Sequence, residues 1–311
     1  MYEPKVFTSE QLSNEAYHAE KDHVSGSFLT TLLNYCPAKA KYTPPKPADH
    51  FVFGTTAHTN MLEKHRFDAA YIRMPDQSEF KDLITSEAGI KSFLKAEGVA
   101  GYSNKSLDEL LALVDKTEKN PNIWHRIVRQ VEEAAKGREI VPGKDYDKVM
   151  LMREVVMSNG AMREVVESGH AEVSIFVIID GVPVKVRIDR ITADACLVDY
   201  KSTKSAQPQE FGLHAYRLGY WLKMALQHDA FEAYYGFKPT AVKLLAQEKE
   251  EPFLAKLYRM TEEQLQEGRI QYKAALALFK RCKETNIWPN YGLTNDEEEL
   301  PTPAFLKAKN K

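Results

Sequence analysis

The sequence predicts an α/β protein in which a mixed β-sheet is flanked by helices. Three successive segments, residues 171–179, 182–192 and 196–201, carry the β-branched density or the polar–apolar alternation of β-strands. Segments with a helical period precede and follow these strands, and a further strand comes after the second helix. This order of elements is typical of a sheet covered by helices.

The hairpin formed by the second and third strands, within residues 182–204, carries the functional interpretation. Asp189 and Asp199 are symmetric about Asp194. A three- or five-residue loop centred there would place the two carboxylates directly opposite each other. Lys201 is two residues beyond Asp199 and therefore shares its face of the strand.

Facing carboxylates repel each other unless a cation lies between them. Oxygen ligands suit a hard divalent ion, so the predicted cofactor is Mg²⁺, with Mn²⁺ as a substitute. A metal held by Asp189 and Asp199, with Lys201 beside it, can hydrolyse a phosphodiester. The sequence therefore predicts these three residues as the catalytic group.

The spacing of these three residues, Asp189…Asp199-x-Lys201, resembles the signature of the PD-(D/E)XK nuclease superfamily. Two further matches lie outside the hairpin. Glu172 opens the preceding strand, where RecB-like members carry a glutamate. The stretch FGTTAH, which ends at His58, resembles the G-T-x-x-H helix start of RecB-like and RecE-like nucleases.

Three N-terminal segments, residues 13–19, 24–29 and 36–39, are similar to the start of the RecE-type, exonuclease VIII-like nuclease domain. The resemblance covers residues 11–65 and 170–240. It implies a metal site whose predicted ligands are His58, Asp189, Asp199, Glu172 and the backbone carbonyl of Tyr200. A core histidine at position 58 and a surface charge at position 172 are the alternatives.

The segment Gln207 to His228 is predicted as one helix in which Tyr216, Tyr220 and Lys223 share a face. RecB-like and RecE-like enzymes carry Gln-x-x-x-Tyr here. Tyr220 matches the tyrosine, whereas Tyr216, or Arg217 in a shifted register, takes the glutamine position. Aromatic packing on the sheet is the alternative. The residues predicted to contact DNA are Tyr216, Tyr220, Arg217, Lys204 and Arg187.

The remaining elements follow from caps and periodicity. Residues 1–24 show little period, a helix covers Phe28 to Leu33 and ends at Pro37, and another covers 53–65. Strands are predicted over 241–247 and 253–260. Further helices are predicted over residues 106–118, 122–136, 145–157, 161–167 and 261–284, the first and last from capping boxes.

We expect a single nuclease domain over residues 1–311. Its parts are a mostly helical region (1–170), a catalytic sheet (171–260), a C-terminal helix (261–294) and a mobile tail (295–311).

Composition limits the class of protein. The net charge of −2 excludes a generally basic nucleic-acid binder, so DNA must be bound by a local surface. Three widely spaced cysteines argue against an iron–sulfur cluster. The polar start of the sequence and the lack of an apolar run of about 20 residues predict a cytoplasmic protein with no membrane contact.

The resemblance implies a Mg²⁺-dependent exonuclease that digests linear double-stranded DNA from 5′ to 3′ and leaves single strands for an annealing recombinase. It also implies a ring-shaped homo-oligomer. Alternatives are a RecB-like or Cas4-like single-strand nuclease, a structure-selective endonuclease, and, in another class, a non-catalytic DNA-binding or assembly subunit.

Overall fold

A computed structural model describes residues 2–44, 53–291, 300 and 302. The strands in this part of the chain are β1 Lys5–Phe7, β2 Val24–Ser25, β3 Tyr71–Met74, β4 Glu139–Pro142, β5 His170–Ile179, β6 Val182–Ile191, β7 Leu197–Thr203, β8 Val242–Glu248 and β9 Ala255–Arg259.

The α-helices in the same residues are α1 Asn14–Ala19, α2 Gly26–Asn34, α3 Pro37–Tyr42, α4 Phe53–Leu62, α5 Lys64–Ala70, α6 Glu87–Ala96, α7 Leu107–Val114, α8 Trp124–Ala135, α9 Gly143–Ser158, α10 Gly160–Glu167, α11 Pro208–Arg217, α12 Tyr220–Tyr235 and α13 Glu262–Thr285. A short 3₁₀ turn covers Gln77–Glu79.

The described strands form a seven-stranded mixed sheet and a separate two-stranded sheet. The large sheet has the order β1-β5-β6-β7-β8-β9, and β2 pairs in parallel with β6. Strands β5, β6 and β7 are antiparallel neighbours, whereas β7 and β8 are parallel, with α11 and α12 between them in sequence. The predicted mixed sheet flanked by helices is confirmed.

Helices cover both faces of the large sheet. On one face, α12 packs over β5 and β6 and α13 packs against α12, and Ile175, Val184 and Leu226 lie in that core. On the other face, α4, α9 and α10 pack over β7 and β8, and Met61 and Tyr200 are buried there. A third apolar cluster lies among α6, α7 and α8.

The loop between β6 and β7 has the predicted centre. It runs from Thr192 to Cys196, five residues about Asp194, and Thr192 N–H donates to the Cys196 carbonyl across it. The β6–β7 ladder contains Arg190–Val198 and Ile191–Leu197 and stops there. Asp189 and Asp199 are the next pair in this register, at the point where the two strands diverge.

The prediction of a single helix over residues 207–228 is wrong, because this segment belongs to two helices, α11 and α12. Gly219 separates α11 from α12 with a left-handed φ of 68°. A Cβ atom at Gly219 would overlap the side chain of Thr30 on α2, so the close approach of α2 requires glycine here. Tyr216 and Tyr220 therefore lie on different helices and do not share the predicted face.

Several short elements were missed. Strands β1 to β4 are two to four residues long, which is too short for an alternating pattern to be distinguished from chance. Pro37 does not end α2; instead it is the first residue of α3, with Cys36 as the N-cap. The expected mobile tail over 295–311 lies outside the described residues, apart from Leu300 and Thr302.

Gly268 lets α13 pack closely against α12. An alanine Cβ there would overlap the Trp221 carbonyl oxygen and lie 2.8 Å from Ala225 Cβ, whereas a Cβ at Gly212 on α11 would meet no atom within 4 Å. We expect Gly268→Ala to lower the free energy of unfolding by about 2 kcal/mol or more. Gly212→Ala should raise it by roughly 0.5 kcal/mol, because alanine is the better helix former.

Chemical denaturation of both variants and the wild type measures this difference. Equal stability of the two variants would contradict the close approach of α12 and α13.

Candidate active site

Three carboxylates form a row across three adjacent strands. In the β5–β6 register, Glu172 is the position opposite Asp189, and in the β6–β7 register Asp199 is the position opposite Asp189. Neither pair belongs to the hydrogen-bonded ladder. All three side chains are largely buried, with exposed fractions of 14%, 11% and 7% from Glu172 to Asp199. Such a row is unfavourable unless cations balance it.

Asp189 occupies the centre of the row and accepts contacts from three sides. The Tyr200 N–H, which has no ladder partner where β6 and β7 diverge, donates to Asp189 Oδ2 over 2.8 Å. The same oxygen lies 3.0 Å from His58 Nε2 and 3.7 Å from Lys201 Nζ. The carboxylate therefore replaces a lost backbone acceptor and also organises the cations of the site.

Lys201 stands between the two aspartates. Its Nζ lies 2.7 Å from Asp199 Oδ2, and it donates to the Tyr200 carbonyl over 3.3 Å. The carboxylates of Asp189 and Asp199 thus converge on the ammonium of Lys201. The repulsion between the aspartates does not by itself require a metal, because in this state the ammonium of Lys201 balances it.

His58 comes from α4, whose end is held by two arginines. Arg153 donates to the carbonyls of Asn60 and Met61, and Arg190 donates to that of Leu62. These carbonyls at the end of a helix have no partner within it, and a guanidinium satisfies them. Sequence reasoning missed both arginines, because nothing local shows that a distant helix ends beside them.

Glu172 adopts a left-handed backbone conformation with φ of 53°, which is unfavourable for a residue with a side chain. Its Oε1 lies 3.4 Å from His58 Nδ1, and its Oε2 lies 4.0 Å from Arg187 Nε. The imidazole therefore lies between two carboxylates. This placement disagrees with the alternative of a surface charge at a strand end.

The charges in the row shift one another's pKa values. Burial opposes the charged imidazole, but the Asp189 carboxylate outweighs it and raises the pKa of His58. Burial also disfavours the Lys201 ammonium, yet Asp199 and Asp189 raise its pKa. Burial followed by the charge of Asp189 raises the pKa of Asp199. For Asp189, the cations Lys201 and His58 outweigh burial and lower the pKa.

Arg187, predicted to contact DNA, uses its donors inside the protein. It donates to Ser174 Oγ, to Asn14 Oδ1 and to the carbonyl of Leu12. Lys185, two residues before it, donates to the carbonyl of Tyr17. These contacts hold the N-terminal segment that resembles RecE-type nucleases against β6.

A cleft of about 570 Å³ lies beside His58. Helices α1, α4 and α5 contribute to its walls, together with the β5–β6 hairpin. The residues that line it include Asn14, Thr55, Thr59, Arg66, Glu172 and Arg187.

The other residues predicted to contact DNA lie in different surroundings. Tyr216, Arg217 and Lys204 are exposed, and the Tyr216 ring packs edge-on against Trp221. Tyr220 is buried, and its ring centroid lies 5.7 Å from Lys201 Nζ. DNA contact by these residues stays a prediction.

The side chains present fit a divalent cation. One ligand atom from each of His58, Glu172 and Asp189 lies within 4.8 Å of the others. Two ligands of one Mg²⁺ are at most about 4.2 Å apart, so these atoms are close to the separation that one ion requires. Asp199 Oδ2 is buried and accepts no well-oriented hydrogen bond from a described residue, so the Lys201 ammonium 2.7 Å away holds it as an ion pair alone. An oxygen atom in that condition is a suitable ligand.

A second group of possible ligands, His228, Asp229 and Glu232, lies on α12. Asp229 accepts from Arg269 and Tyr272 of α13 and also contacts His228. These contacts already satisfy the carboxylate, so this group links two helices and is not a candidate metal site.

Glu172→Gln should change the pH dependence of stability in metal-free protein. Burial, then the charge of Asp189, raises the pKa of Glu172 from an ordinary 4.5 to about 7. The folded state therefore holds this proton more tightly, and the stability it contributes is lost as pH rises from about 4.5 to 7. Relative to wild type, Glu172→Gln should gain roughly 1–3 kcal/mol between pH 5 and pH 8.

Urea denaturation with EDTA at both pH values measures this gain. Glu164→Gln, an exposed change of the same type on α10, is the control. A stability difference between Glu172→Gln and wild type that stays constant from pH 5 to pH 8 would contradict the burial of an ionisable Glu172.

Comparison with known proteins agrees with this fold. A crystal structure described as a "Putative exonuclease" from Eubacterium rectale has a TM-score of 0.54 and 12% identity, over 96% of this chain and 98% of that chain. At that identity the likeness shows a shared fold. A second structure, named SSO0001, covers 72% of this chain and 85% of that chain at 13% identity, but its TM-score of 0.26 carries no conclusion. No curated protein matches the sequence.

A family model described as a PDDEXK-like domain of unknown function (DUF3799) matches residues 32–297, a range that contains His58, Glu172, Asp189, Asp199 and Lys201. The chain therefore belongs to this PDDEXK-like family.

Proposed function

We propose that the protein is a Mg²⁺-dependent exonuclease that hydrolyses phosphodiester bonds of linear double-stranded DNA. The observation that carries this proposal is the buried row Glu172, Asp189 and Asp199, with Lys201 Nζ 2.7 Å from Asp199 and His58 Nε2 3.0 Å from Asp189. Membership of a PDDEXK-like family supports it.

The ligands of the metal would be side chains of the row with His58, and the Tyr200 carbonyl would be a further oxygen ligand. When bound, the metal makes a water molecule more acidic and offsets negative charge on the phosphate. The charges of the side chains in the site must rearrange before the metal can bind. Asp189 raises the pKa of His58 against the effect of burial, so protonation of the imidazole competes with coordination of the metal. Lys201 has to move away from Asp189 as positive charge enters the site.

Lys201 has two conceivable roles, to orient or deprotonate the attacking water and to stabilise charge in the transition state. The carboxylates of Asp199 and Asp189 raise its pKa above the ordinary value, so it is a cation in the metal-free protein. This favours charge stabilisation and hydrogen-bond donation to water or phosphate. Attack by water in line on phosphorus forms no covalent link to the protein.

The direction of digestion, 5′ to 3′, the ring-shaped homo-oligomer and an annealing recombinase as partner follow from the RecE-type resemblance and stay predictions. Within the described residues, no helix is both long and apolar enough to cross a membrane.

The proposal is tested with purified protein, Mg²⁺ and linear duplex DNA labelled at one defined 5′ or 3′ end. We expect progressive loss of one strand from its 5′ end and no cleavage of covalently closed circles. Cleavage of closed circles would favour a structure-selective endonuclease. Digestion of single strands alone would favour a RecB-like enzyme, and metal-independent binding without cleavage would favour a non-catalytic subunit.

Two variants test whether Lys201 and Asp189 take part in cleavage. Lys201→Ala and Asp189→Asn should each reduce cleavage by at least about 100-fold, because each removes charge from the reacting centre. Asparagine keeps the acceptor for the Tyr200 N–H, so the strand geometry should survive. Lys256→Ala, on the exposed side of β9, is the control and should cleave like wild type. Near-normal, EDTA-sensitive cleavage by either site variant, with normal circular dichroism, would reject the assignment.

A further inference from the structure

Lys223 is a second cation beside the proposed site, and the row of carboxylates does not account for it. It lies in the first turn of α12, three residues after Tyr220. The ammonium nitrogens of Lys201 and Lys223 each lie 5.7 Å from the centroid of the Tyr220 ring. The two ammonium groups are therefore at most twice 5.7 Å apart, and both lie near the Tyr220 ring.

The ammonium of Lys223 has no partner of opposite charge among the described residues. No described carboxylate lies within ion-pairing distance, and no described acceptor takes a hydrogen bond from it. Among the charged groups, Lys201 acts most strongly on the pKa of Lys223 and lowers it, whereas Asp199 and Asp189, which pair with Lys201, act in the opposite sense.

The stem of Lys223 is held in place by close packing. A Cβ atom at Gly26 would lie 3.3 Å from Lys223 Cγ, so α2 passes directly over the side chain. Gly26 is the first residue of α2, and the start of a helix carries partial positive charge. Burial, together with the charge of Lys201, lowers the pKa of Lys223. A half-buried lysine that has another lysine nearby and no partner of opposite charge is destabilising unless an anion binds there.

We propose that Lys223 binds a backbone phosphate of DNA at this site and contributes positive charge in addition to Lys201. This inference rests on the proposed nuclease function. The ligand is a non-bridging phosphate oxygen, either of the phosphate that is cleaved or of its neighbour. Every nucleotide carries this group, so the contact strengthens binding without reading sequence. The pairing also explains why a lysine with no internal partner is placed beside a catalytic lysine.

The test is a steady-state comparison of Lys223→Met with wild type, using Mg²⁺ and a linear duplex over a series of salt concentrations. Methionine keeps an unbranched stem for packing under α2 and removes the charge. We expect KM to rise about tenfold. The slope of log(kcat/KM) against log[salt] should become shallower by about one, because one phosphate contact is lost.

Two further variants separate a phosphate contact from general effects. Lys223→Arg keeps the charge and should stay within about threefold of the wild-type KM, whereas Lys273→Met removes an exposed lysine of α13 and should leave KM and slope unchanged. The melting temperature of Lys223→Met should equal or exceed that of wild type, because an unpaired, half-buried charge has been removed.

A Lys223→Met variant with the KM and salt slope of an active wild type would overturn this inference and leave the nuclease function intact. A marked fall in its melting temperature would also overturn it, because the ammonium would then have a structural partner. The proposed function fails on a different result, a wild type that cleaves no DNA with any divalent metal, and the role of Lys223 in cleavage falls with it.

Discussion

The register of β5, β6 and β7 sets the electrostatics of the whole site. It aligns Glu172, Asp189 and Asp199 in one buried row, and a row of like charges cannot be buried without compensation. Lys201 supplies a compensating charge beside Asp199, and His58 contacts Asp189 from α4. Because β6 and β7 diverge at this point, the carboxylates have room to accept side chains in place of ladder hydrogen bonds.

The surrounding elements fix the segments on which the site is built. Arg153 and Arg190 fix the end of the helix that carries His58, and Arg187 and Lys185 attach the N-terminal segment to β6. All four donate to backbone carbonyls, so these charges are used for positioning. The interior on this side of the sheet is therefore rich in charge. The raised pKa of the buried Glu172 carboxyl should make the stability of this region depend on pH.

Local pattern in the sequence predicts the centre of the fold well. The alternation of polar and apolar residues and the symmetry about Asp194 predict the β6–β7 register. The capping box at Thr261 predicts the start of α13. The family match confirms the PD-(D/E)XK superfamily. What fails depends on distant contacts. The break at Gly219 is imposed by Thr30 of α2, and β1 to β4 are stabilised by partners far along the chain. The arginines that anchor α4 carry no local signal for the same reason.

Anomalous diffraction from crystals soaked in Mn²⁺ tests most directly whether the row of carboxylates binds a metal ion. If the carboxylates form a metal site, an anomalous peak lies within bonding distance of Asp189 and Asp199, with Glu172 or His58 as a further ligand, and Lys201 Nζ has moved away from Asp189. Mn²⁺ bound only elsewhere on the protein, with the Lys201 ammonium still between the two aspartates, would contradict a metal-dependent nuclease site.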